Sequence, residues 1–98
     1  MNAQDQFMTT DRLRRAVLAF QHAQGLVLVA HRQLKDKSHA HVDAYWEGPG
    51  RRINATIQAS ARELVDAFRA FSAAGLVASA ADRHQVTEAE RCLAEGAF

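Results

Sequence analysis

Ninety-eight residues are enough to bury the core of one domain and too few for two. With 48% hydrophobic and 23% charged residues, the chain lies away from the compositions that stay disordered. The net charge of +1 divides as +3, 0 and −2 over residues 1–37, 38–59 and 60–98, a gradient too mild for a charged interaction tail.

The longest apolar run, Leu26 to Ala30, falls far short of the roughly 18 residues that suggest a membrane span. The first residues lack the basic and then apolar pattern of a secretory signal, and the single cysteine, Cys92, cannot form an internal disulfide. A cytoplasmic protein is therefore expected. Without a secretion signal, the glycosylation sequon Asn54-Ala55-Thr56 reads as chance.

Residues 1–9 carry no periodicity and read as a flexible leader, followed by a single domain over 10–98. Thr10 and Asp11 then open a helix whose Leu13, Ala16, Val17 and Phe20 fall on one buried face. It should run to about Gln24, with Gly25 as its C-terminal stop. Leu26-Val27-Leu28-Val29-Ala30 is continuously apolar and carries the β-branched Val27 and Val29, and no single helical face collects Leu26 to Val29, so it reads as a first strand. Being apolar on both faces, it would lie between layers or leave an apolar strip outside.

Val42, Ala44 and Trp46 alternate on one side of Gly48-Pro49-Gly50, and Ile53, Ala55 and Ile57 on the other. Both sets must share a face, which requires an even loop and favours the four residues Glu47 to Gly50 as a β-hairpin turn. Ser60-Ala61-Arg62-Glu63 is a capping box opening a second helix, with Leu64, Val65, Phe68 and Phe71 inward and Gly75 as its stop. Thr87 to Glu90 is a second capping box, opening a short helix with Cys92 and Leu93 inward. Between them, Ser79-Ala80-Ala81-Asp82 is able to start another helical turn.

The expected fold is thus α+β: α-β-β-β-α order, a three-stranded antiparallel sheet with two helices on one face, and a short C-terminal helical extension. Many small folds share this element order, the double-stranded RNA-binding domain among them. The likeness is one of topology alone, because the second helix opens Ala61-Arg62-Glu63 in place of that domain's lysine-rich phosphate clamp.

His39, His41 and Asp43 would project in a row from one strand face, which are residue types suited to zinc. Spacing alone supports that row, and a solvated outer face explains it, so no metal or cofactor is assigned. No nucleophile elbow, phosphate loop or dinucleotide turn is present, and the chain is read as a non-enzyme. The outer hairpin face and its turn, His41, Asp43, Tyr45, Glu47, Arg51 and Arg52, offer the exposed Tyr and Arg enriched at binding hot spots. Leu26 and Leu28 would join Tyr45 in an apolar patch if they too point outward, open to a partner or covered by residues 76–98 folding back over it.

The expected function is a small protein-binding module, an adaptor or an inhibitor that masks a larger partner. Bacterial mobile-element accessory proteins, including inhibitors of host defence nucleases, often share this size and lack of motifs. A second copy of the chain is a further candidate partner. The alternative is nucleic-acid binding through Arg12, Arg15, Arg32, Lys35 and Arg52, and a metal-binding protein using His39, His41 and Asp43 is a distant third.

Overall fold

Four helices, and no strand, make up residues 2–96, the part of the chain that the computed structural model describes. Helix α1 spans Ala3–Leu34, α2 His39–Glu47, α3 Arg51–Ala73 and α4 Ala80–Glu95. Polar side chains cap three of the four starts. Asn2 Oδ1 accepts from the Asp5 amide at 2.8 Å, Ser38 Oγ from the His41 amide at 3.2 Å and Ser79 Oγ from the Asp82 amide at 3.1 Å, each satisfying an amide the helix itself leaves unpaired.

Helices α1, α3 and α4 form a bundle around one core. Leu13, Ala16, Val17, Phe20, Ala23 and Val27 of α1 meet Ile57, Ala61, Leu64, Val65, Ala67 and Phe71 of α3, and Val86 and Ala89 of α4 close the third side. Phe20 and Leu64 are the largest fully buried side chains, and burial on this scale stabilises by about 1.5–3 kcal/mol for each such residue. Alanines at Ala23, Ala61, Ala67 and Ala89, each with no exposed surface, let the three helices approach closely. Gly75, at φ +78°, takes the left-handed conformation that ends α3, and its amide donates to the Ser72 carbonyl at 2.9 Å.

The α+β expectation, with its three-stranded antiparallel sheet, is overturned: the described residues contain helices only. The first strand, 26–30, is the continuation of α1 through Gly25. A glycine inside a helix costs only about 1 kcal/mol, little for one position of a 32-residue helix. Val27 and Ala30 supply the buried face there, while Leu26, Leu28 and Val29 are left outside. The hairpin is also absent. Its first half is α2, started by Ser38, and Gly48-Pro49-Gly50 is the turn into α3.

The alternation of Ile53, Ala55 and Ile57 conceals a helical stripe, because Ile53, Ile57, Ala61, Leu64, Val65, Phe68 and Phe71 continue one another at three- and four-residue spacing. Neither capping box begins a helix. Ser60 sits within α3 and its hydroxyl donates back to the Ile57 carbonyl; Thr87 sits within α4 and donates to the Arg83 carbonyl. The start that Ser79 offered is the one used. Residues 3–9 belong to α1, whereas Met1 of the expected leader and residues 97–98 of the expected domain lie outside the described residues. Among those described, no helix is long and apolar enough to cross a membrane.

Candidate functional site

Helix α1 has 32 residues and α3 has 23, a difference of about 14 Å at 1.5 Å per residue. The two run in opposite senses, since Arg12 meets Glu63 while Val27 and Phe20 share a cleft with Ile57. The last turns of α1 therefore project past the start of α3, and α2 folds back beside them. The His31 and Trp46 rings lie 5.7 Å apart there, and Tyr45 meets Trp46 edge-on at 5.2 Å. Gly50 is buried beneath this pair: a β-carbon on it would fall 2.6 Å from Trp46 Cε3. No residue of α2 is fully buried, so this corner is a thinly held helix over a shallow depression lined by His31, Val42, Asp43, Trp46 and Glu47.

The residues expected to form a contact surface occupy this corner, rearranged by the helix. Successive residues turn by about 100°, so His41 and Tyr45 share one side of α2. Asp43 and Glu47 share another and border the depression. Arg51 and Arg52, both exposed, form the first turn of α3 just beyond the Gly-Pro-Gly turn. The same rotation breaks the metal row: His39 and Asp43 stay one turn apart while His41 points nearly opposite. Among the described residues, no three His, Cys, Asp or Glu side chains cluster as metal ligands.

The basic set is not brought together. Arg12 and Arg32 are about 30 Å apart along α1, Arg32 and Lys35 lie at its far end, and Arg52 is on α3. Arg12 donates from Nε and Nη2 to the two carboxylate oxygens of Glu63, at 3.0 and 2.8 Å. Arg15 bridges Asp11 at 2.9 Å, and Arg14 binds the same carboxylate at 2.8 Å. Hydrogen bonding by Arg12 holds the Glu63 carboxyl below its usual range, and Arg14, helped by the Arg15 charge, does the same to Asp11.

The sequence points to Leu26 and Leu28 as part of an apolar patch, and the structure extends that patch along the outer face of α1 to Leu18 and Val29. Between Arg15 and His31 lie fifteen residues, Ala16 to Ala30, without an Asp, Glu, Lys or Arg. One side packs into the core. The other leaves Leu18 54% exposed, Leu28 52% and Val29 50%, with Leu26 beside them. Gly25 lies among these side chains, and a β-carbon there would meet nothing within 4 Å. The signal was present in the sequence as an apolar run with no single face; only the assignment of residues 26–30 to a strand hid its extent.

A second cleft, of about 360 Å³, opens between α1, α3 and the end of α4, over Phe20, Val27, Ile57 and Cys92. Gln58 Nε2 donates to the Cys92 sulfur at 3.5 Å and to its carbonyl at 3.3 Å. Burial pushes the thiol above its ordinary value, and the Glu95 charge adds to the shift. Cys92 is therefore a protonated, weakly nucleophilic thiol at neutral pH.

No protein-family model matches the chain, and comparisons with curated proteins and with solved structures give no match either. The class that fold and surface define is a small helical bundle with one long, partly uncovered helix.

Proposed function

We propose that this chain is a non-catalytic protein-binding module, an adaptor or an inhibitor that masks a larger partner, working through the outer face of α1 and the α2 corner at its end. The observation that carries this reading is the exposure of Leu18, Leu26, Leu28 and Val29 on a fifteen-residue stretch of helix without a formal charge. Apolar side chains gathered on one uncharged face, unlike scattered ones, mark a contact site. The corner adds Tyr45 and Arg52, residue types that dominate binding energetics when a partner desolvates them.

The test is affinity capture from the native host, read by mass spectrometry, with the wild type, Leu18→Gln/Val29→Gln and Tyr45→Ala/Arg52→Ala. All four side chains are at least partly exposed, so the variants should fold. The expected result is a protein partner that one or both double variants fail to retain. Equal retention by all three proteins would remove this surface from the reading.

A further inference from the structure

Leu18, His22, Gly25 and Val29 fall at i, i+4, i+7 and i+11 on α1, the alternating four- and three-residue spacing of a seam between two helices. All four are exposed, and Leu26 and Leu28 flank the seam on either side. Nothing in the single chain explains Gly25 at its middle. Its helical conformation needs no glycine, and the space above it is open. A glycine on an exposed helix face costs stability relative to alanine, and what it offers in return is close approach by another backbone.

We propose that the occupant of this face is a second copy of the chain, packed antiparallel about a two-fold axis between positions 22 and 25; this rests on the protein-binding reading above and names the partner for the α1 face. The antiparallel register pairs each Leu18 with Val29 of the other copy, and each His22 with the other Gly25. A ring is thus set over the position that lacks a side chain. A parallel register would instead place glycine on glycine and imidazole on imidazole, leaving a gap beside a crowded pair. At either end Arg32 of one copy arrives beside Arg15 of the other, a like-charge contact at the solvent-exposed rim that the Asp11 carboxylate, shared by Arg14 and Arg15, offsets only in part.

The exposed area fits this arrangement. The chain exposes 6562 Å², against about 5500 Å² expected for a compact monomer of its 10.8 kDa mass. That excess belongs to the drawn-out chain as a whole; the share on the seam is carried by Leu18, Leu28 and Val29, each about half exposed, which are the side chains a two-fold contact along α1 would cover. A two-fold interface needs one self-complementary patch, and the seam is one. It leaves the α2 corners outside, one near each end of the paired α1 helices, for a larger protein.

The experiment is light scattering on the full chain over a micromolar concentration range, with Gly25→Gln and Leu18→Gln/Val29→Gln alongside. Orientation is read from disulfide trapping between Leu18→Cys and Val29→Cys chains, each carrying Cys92→Ser. The expected results are a wild-type mass of twice 10.8 kDa and dissociation raised about tenfold or more in both variants. Helical content should be unchanged, and the 18-to-29 cross-link should dominate mixtures of the two cysteine chains. Gly25→Gln is informative because the single chain has room for the new side chain, so loss of the dimer would not reflect misfolding. A monomeric wild type, a dimer indifferent to both variants, or cross-links only between like positions would overturn the proposal. Monomeric wild type together with host-partner capture lost in Leu18→Gln/Val29→Gln would overturn the second copy alone and leave the protein-binding reading in place.

Discussion

Replacing Gly50 with alanine sets two effects of opposite sign against each other. Gly50 has φ −73° and ψ −13°, a conformation alanine adopts freely, so backbone entropy alone would make Gly50→Ala stabilising by about 0.4–1 kcal/mol. The added carbon, however, would lie 2.6 Å from Trp46 Cε3, 3.0 Å from Tyr45 Cε1 and 3.1 Å from Trp46 Cα. The last of these is backbone, so rotating a ring cannot relieve it and α2 itself has to move. Overpacking of this kind costs about 1–3 kcal/mol, and the net expectation is a loss of about 1–2 kcal/mol. For a chain of this size each kcal/mol lowers the melting temperature by roughly 4–8 °C. Trp46 is the one tryptophan, so its fluorescence reports on the α2 corner while far-ultraviolet circular dichroism follows the bundle. The variant should melt earlier, with Trp46 emission shifted to the red in the folded protein. A higher melting temperature with unchanged emission would refute the packing of α2 on Gly50.

Glu63→Gln should lower stability at neutral pH by no more than about 0.2–1 kcal/mol, because the Arg12 bridge is half exposed, and added salt should shrink the difference. Arg12 depresses the folded-state value of Glu63. The bridge's contribution is therefore complete above the unfolded carboxylate value and is lost as pH falls through the lowered one; denaturant titrations across that acid range check it. Cys92 should be alkylated by iodoacetamide at neutral pH more slowly than a free model thiol, as followed by intact-mass spectrometry, because its thiolate is disfavoured.

The buried faces were legible in the sequence wherever helical spacing was undisturbed. Leu13, Ala16, Val17 and Phe20 are core residues as expected, and so are Leu64, Val65 and Phe71. What misled was short-range alternation. Val42, Ala44 and Trp46 alternate, but over so few residues period two and period 3.6 overlap, and the Ser38 cap is a better guide than the pattern. Gly25 has the character of a stop and Ser60 of a start, yet both lie inside helices because tertiary burial of the flanking stripes outweighs one unfavourable position. At the candidate site, Tyr45 lies beside Gly50 of the turn that leads into Arg51 and Arg52, while the helical rotation of α2 sets His41 and Tyr45 on one side and Asp43 and Glu47 on another. Leu26 and Leu28 do point outward, and they do so on the helix whose outer face carries the proposed interface.

The long α1 gives the molecule principal dimensions of 54 × 21 × 19 Å and a radius of gyration of 15.9 Å, against about 13 Å for a compact chain of this length. A body so drawn out diffuses more slowly than a sphere of equal mass. On a column calibrated with globular standards, a single chain would elute early and pass for an assembly, and a pair joined along α1 would thicken the rod far more than lengthen it. Friction and mass therefore diverge for this protein, and a sedimentation experiment that measures both would tell one rod from two.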